Sequence, residues 1–164
     1  MTGAKPDIGC VFCLAPTATG AAAGDPAPSS QESLIVYRRR TCYVILNLYP
    51  YNNGHVMIAP YRHVASLAAL TVDEIHEVGD LLQLTERVLM VAYNPQGINA
   101  GVNLGKPAGA GVLDHVHVHL VPRWNGDTNF MTVVSDVRVL PEDLATTARK
   151  LRPIFERLSV EDKT

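Results

Sequence analysis

The apolar positions of this chain alternate between two periods, and the changes of period mark out its elements. Ser33 to Arg39 and Cys42 to Leu48 are dense in Val, Ile, Leu and Tyr and are separated by a short basic turn, which predicts an antiparallel hairpin. Cys42 reads as a small apolar residue packed within the second of these strands. Pro50-Tyr51-Asn52-Asn53-Gly54 is turn chemistry, and His55 to Pro60 resumes as a strand, so residues 33 to 60 read as a three-strand meander. From Thr71 to about Tyr93 the spacing lengthens to that of a helix. Thr71-x-x-Glu74 is a capping box, Val72, Ile75, Val78, Leu81, Leu82, Leu89 and Ala92 fall on one predicted face, and Asn94-Pro95 stops the run. Asn99 to Leu104 predicts a fourth strand, and Met131 to Val134 a further short one. Pro141 to about Leu158 predicts a second helix with Leu144, Leu151, Ile154, Phe155 and Leu158 on its apolar side, its last turn kinked or loosened by Pro153.

The period of two recurs most informatively in Asp114-His115-Val116-His117-Val118-His119-Leu120. A strand sends alternate side chains to opposite faces, so three imidazoles line one face while Val116, Val118 and Leu120 are buried on the other. A helix would scatter the three rings and destroy the row. Alternate residues of a strand are about 6.5 to 7 Å apart at the backbone, so all three rings do not easily share one ion. A division of labour between a metal and a reacting phosphate is the better geometric reading. Gly105-Lys106-Pro107-Ala108-Gly109-Ala110-Gly111 enters this strand as a small-residue loop whose backbone N–H groups can approach an anion.

Composition narrows the function classes. The 164 residues suffice for one domain with a core, and 47% apolar content with a net charge of -2 describes an ordinary globule without a basic field for nucleic acid. No apolar run reaches the roughly 20 residues of a membrane helix, and Met1 to Gly9 lacks the layout of a secretory signal. A cytoplasmic location is the expectation. The three cysteines fit a reducing compartment, and two of them form Cys10-x-x-Cys13, a spacing that lets both sulfurs meet one tetrahedral ion and that by itself is as open to redox work or to no role at all. Leu14 to Ser33 is Ala, Gly, Pro, Ser and Thr with almost no large side chain, which reads as a flexible loop. His76, among acidic residues in the first turn of the long helix, reads as solvated.

His115-x-His117-x-His119 followed by Leu120-Val121, the glycine-rich loop before it, and Asn47-x-x-Pro50-x-x-x-Gly54-His55-Val56-Met57-Ile58-Ala59-Pro60 together resemble the histidine triad family of nucleotide hydrolases and transferases. Asn47 to His55 and Pro122-Arg123-Trp124-Asn125-Gly126-Asp127-Thr128-Asn129-Phe130 are most similar to the branch containing bacterial diadenosine tetraphosphate phosphorylases. With the elements above, the resemblance implies an α+β fold: a single HIT-like domain, an antiparallel sheet of about five strands and two main helices. It divides the chain into an N-terminal segment over 1–13, a loop over 14–33 and a catalytic domain over 34–160.

Carried over residue by residue, the resemblance makes His117 the nucleophile that attacks the α-phosphate and becomes a nucleotidyl-histidine. His119 matches the residue that contacts the phosphate and helps the leaving group. Backbone N–H groups of Ala110, Gly111 and Val112, with a positive His119, would hold the phosphoryl charge. Asn47 matches a ribose ligand, Phe12 and Leu46 would flank the base, Asn103 would meet ribose or phosphate, and His55 would support the triad. His115 resembles a zinc ligand in members that also carry Cys-x-x-Cys, with His63 completing Cys10, Cys13, His63 and His115 as a closed structural site. A homodimer is implied as well.

The chain departs from the pattern in one respect. Many members place a glutamine, serine or threonine just before the triad, whereas Ala110-Gly111-Val112-Leu113 has no such side chain. Hydrolysis, phosphorolysis and transfer to another acceptor therefore stay open side by side for diadenosine polyphosphate-type substrates. The competing readings are a phosphoramidate or acyl-adenylate hydrolase, a nucleotide-binding module stabilised by zinc without catalysis, and a three-histidine metallohydrolase.

Overall fold

The computed structural model describes residues 9–14, 34–127 and 142–161. The strand expected near Met131 to Val134 lies outside them, as does nearly all of the 14–33 loop. Strands β1 (Ile35–Arg38), β2 (Cys42–Leu46) and β3 (Val56–Pro60) form the meander, and β4 (Gly97–Val102) and β5 (Val118–Arg123) complete a sheet ordered β1-β2-β3-β5-β4. All four pairings are antiparallel. A single helical turn, α1 (Val11–Leu14), and two long helices, α2 (Val72–Tyr93) and α3 (Leu144–Glu161), make this an α+β domain.

Both long helices cover one face of the sheet. Val44, Leu46, Val56, Ile58, Val118 and Leu120 pack there against Val78, Leu81, Leu84, Val88 and Leu89 of α2 and Ala148, Leu151, Phe155 and Leu158 of α3. The opposite face carries Tyr43, Ile45, Met57 and Ala59, and against these sit Cys10, Phe12 and Cys13 of the N-terminal turn. Register places Ile45 beside Met57, and Met57 beside His119, so the open face of three adjacent strands forms one continuous floor.

The capping box of α2 is present, with Thr71 and Glu74 each bonded to the other's backbone N–H. The predicted inner face is displaced, however. Val72 and Ile75 are exposed at 67% and 42%, and the inward position of the first turn is taken by Glu74. Its carboxylate is held by Arg62 at 2.6 and 3.0 Å, which depresses its pKa, while the same guanidinium reaches the Ala69 carbonyl. A buried carboxylate so paired is stable where an unpaired one would not be. The helix α3 continues past Pro153 to Glu161. Glu142, just before it, accepts from Tyr93 Oη and Thr147 Oγ1 and pairs with Lys150, tying α3 to the end of α2.

Candidate active site

The histidine row enters the sheet from a loop. Val118 is the first residue of β5, while His115 and His117 lie just before it, where the Val116 N–H donates to the Val64 carbonyl at 2.6 Å. Alternation is preserved, and each ring meets different neighbours.

His115 is fully buried, and its Nε2 lies 2.9 Å from the Pro60 carbonyl. A carbonyl only accepts, so Nε2 carries the proton and Nδ1 presents a lone pair. That lone pair lies 3.4 Å from Cys10 Sγ and 3.6 Å from Cys13 Sγ, and His63 Nδ1 lies 3.2 Å from Cys13 Sγ. All four donor atoms fall within 4.8 Å of one another. A tetrahedron with Zn–S of about 2.3 Å and Zn–N of about 2.0 to 2.1 Å has S···N edges of about 3.5 Å. The donor set therefore fits such an ion in size and in ligand type. Burial lowers the pKa of His115 to about 4, which keeps it in the neutral form a ligand needs. Among the described residues, neither His117 nor His119 joins a donor cluster.

His117 is buried and donates from Nδ1 to the His115 carbonyl at 2.8 Å, which leaves Nε2 as the unprotonated nitrogen. The Phe12 ring packs 4.6 Å from it, centroid to centroid, and the His119 ring stands edge-on at 4.9 Å. Burial pulls its pKa below the usual histidine range.

His119 and His55 form a pair fixed by the backbone. The Tyr51 N–H donates to His55 Nδ1 at 3.1 Å, so His55 carries its proton on Nε2 and donates it to His119 Nδ1 at 3.0 Å. His119 must then carry its own proton on Nε2. Burial and the neighbouring His117 push the pKa of His119 down to about 4, and burial pushes that of His55 down to about 3. The lowered pKa favours a neutral His119 ring over the positive one expected from sequence, with Nε2–H left to donate.

These rings open onto a cavity of about 460 Å³ lined by Phe12, Leu46, Asn47, Gly111, Val112, His117 and His119 among the residues anticipated from sequence. Val11, Leu34, Ile45, Leu48, Tyr49, Tyr51, Met57 and Gly109 line it as well and were not anticipated. For Ile45 and Met57 the register with His119 was the usable signal; for Tyr49 and Tyr51 it was the presence of two aromatics in a turn. Three anticipated residues lie outside the lining. His55 acts from behind His119, Asn103 bonds across the glycine loop to the Gly109 carbonyl at 3.5 Å, and the Ala110 N–H turns inward to the Gly105 carbonyl at 3.3 Å. Asn47 is held by accepting the Tyr49 N–H at 3.0 Å.

Residues 29–126 match the HIT domain. The chain belongs to the HIT domain family. It is 45% identical over 132 residues to the AP-4-A phosphorylase of Mycobacterium tuberculosis, covering 80% of this chain and 68% of that protein. It is 35% identical over 91 residues to the bis(5'-adenosyl)-triphosphatase of Saccharomyces cerevisiae, covering 55% of this chain and 44% of that one. Among solved structures, a Zn-bound histidine triad family protein from Mycobacterium smegmatis superposes with a TM-score of 0.68 at 27% identity, covering 93% of this chain and 97% of the other. No helix among the described residues of this HIT domain protein is long and apolar enough to cross a membrane.

Proposed function

We propose that this HIT enzyme cleaves the phosphoanhydride of diadenosine polyphosphate-type substrates through a nucleotidyl-histidine on His117. The observation that carries the reading is the bare Nε2 of His117, fixed by the Nδ1–H bond to the His115 carbonyl and opening onto a mostly apolar cavity beside a second, proton-bearing imidazole. A neutral imidazole is a competent nucleophile at neutral pH. Its Nε2 forms the bond to the α-phosphorus while the bond from that phosphorus to the bridging oxygen breaks. His119 Nε2–H donates a hydrogen bond to the departing oxygen, which leaves as the polyphosphate anion with the electron pair of the broken bond, and the Gly111 and Val112 backbone supplies donors to the phosphoryl oxygens. An acceptor then displaces His117: water yields a nucleoside monophosphate, inorganic phosphate a diphosphate. Phe12 and Leu46 flank the base and Asn47 meets the ribose in this reading.

Cys10, Cys13, His63 and His115 would hold a zinc ion whose part is structural, since four protein ligands leave no open position. This ties the N-terminal segment over 1–13 to the catalytic domain over 34–160. The relatives' names support a dinucleotide over a phosphoramidate substrate. The outer strand β4, largely exposed at the edge of the sheet, supports a homodimer, and three free thiols support a cytoplasmic location. Incubation with diadenosine tetraphosphate, with and without inorganic phosphate, tests the activity. ADP with ATP marks phosphorolysis and AMP with ATP marks hydrolysis, whereas tight AMP binding with no products would favour the binding-module reading.

A further inference from the structure

The turn between β2 and β3 presents two tyrosines, Tyr49 and Tyr51, to the cavity. Tyr49 is 79% exposed, and among the described residues its ring and hydroxyl have no partner, although its backbone N–H is fixed on Asn47 Oδ1. Tyr51, two residues on, lies over the imidazoles, 4.8 Å from His55 and 6.4 Å from His119 between ring centroids. Both tyrosines line the same cavity as His117 and His119. A large exposed aromatic on a pinned backbone is a preorganised stacking surface, because little backbone freedom remains to be lost when a planar ligand settles on it.

The chemistry says which planar group comes to this wall. Transfer to His117 is in line, so the leaving group departs on the side away from His117 Nε2, and its departing oxygen takes a hydrogen bond from His119 Nε2–H. Tyr51 lies on the His55–His119 pair, its ring centroid 6.4 Å from that of His119, and Tyr49, two residues before it, lines the same cavity. The apolar slot made by Phe12, Leu46 and Met57 takes the base of the nucleotide that is transferred. The geometry points to Tyr49 as the stacking platform for the base of the leaving nucleotide, and so as a residue that selects dinucleotides over mononucleotide polyphosphates. This rests on the adenylyl-transfer reading above and adds to it the recognition of the second nucleoside.

Diadenosine tetraphosphate and adenosine 5'-tetraphosphate separate the two claims. Both offer the same α-phosphorus and four phosphates, and only the first has a second base. Stacking of a base on an aromatic ring is expected to give the dinucleotide a KM roughly five- to tenfold lower in the unaltered protein. Tyr49→Ala is expected to bring the two KM values together, and Tyr49→Phe, which keeps the ring, to retain the difference. A ratio unchanged by Tyr49→Ala, an unaltered protein without preference, or an equal weakening of both substrates would each overturn the platform while the His117 chemistry stands. If neither substrate is consumed, the adenylyl-transfer reading falls and the platform falls with it.

Discussion

Loss of a metal ion bound by the proposed Cys10, Cys13, His63 and His115 cluster should loosen the nucleotide cavity without unfolding the domain. The link is α1, one helical turn whose residues Val11 and Phe12 line the cavity and whose flanking cysteines belong to the donor cluster. A single turn has no stability of its own. Ordering residues 10 to 13 costs about 4 to 8 kcal/mol of backbone entropy. Against this, burial of Phe12 contributes about 1.5 to 3 kcal/mol. The bonds from Tyr43 Oη to the Phe12 carbonyl and from the Cys13 N–H to the Cys10 carbonyl add about 1 kcal/mol each. The two sides nearly cancel, so an ion bound by the cluster would decide whether the turn stays docked. Undocking removes the ring that packs on His117 and would flank the base, a loss of about 1 to 2 kcal/mol, or roughly five- to thirtyfold in affinity. Calorimetry of AMP binding to the zinc-loaded protein, the chelated protein and Cys13→Ser, with metal content measured on each sample, reads this directly. Unchanged AMP affinity in protein shown to be free of metal would refute the coupling.

Two further outcomes follow from the pair behind the cavity and the turn that precedes it. His55 and His119 have folded pKa values of about 3 and about 4, below the unfolded value of 6.5, so below about pH 6.5 the unfolded chain takes up protons that the folded chain does not. Stability is therefore lost as pH falls from about 6.5 towards 4, by up to about 1.4 kcal/mol per pH unit for each ring. Urea denaturation at pH 7 and pH 5 should show a drop that shrinks in His55→Gln, and equal drops in both proteins would count against it. Gly54 sits at φ +77°, and a Cβ there would lie 2.7 Å from Tyr93 Cε2 and 3.3 Å from Leu89 Cδ2. Gly54→Ala should cost about 2 to 4 kcal/mol from backbone strain and overpacking together, and a change in unfolding free energy under about 0.5 kcal/mol would show the turn to be more yielding than described.

Much of this architecture was legible in the sequence because its signals are periodic. Thr71-x-x-Glu74 announced the start of α2, and the alternation around His119 announced the face on which Val118 and Leu120 pack against the helices, whereas the strand expected from His115 onward begins only at Val118. Where apolar residues surround a helix's first turn, periodicity does not say which of them faces inward. Val72 and Ile75 were misplaced because Arg62 makes Glu74 the buried one. Tyr49 and Tyr51 carry no period, so their place on the cavity wall required the fold of the turn. The tautomer of His119 was out of reach for another reason, since it depends on a Tyr51 N–H that fixes the tautomer of His55.

The central claim is that His117 Nε2 forms a bond to phosphorus. Rapid acid-free quenching of the protein with diadenosine tetraphosphate, followed by peptide mass spectrometry, should find an adenylyl group on His117, and the adduct and turnover should both vanish in His117→Ala while fold and zinc content persist. Consumption of the dinucleotide by the His117→Ala protein, or an adduct on a different residue, would contradict the account.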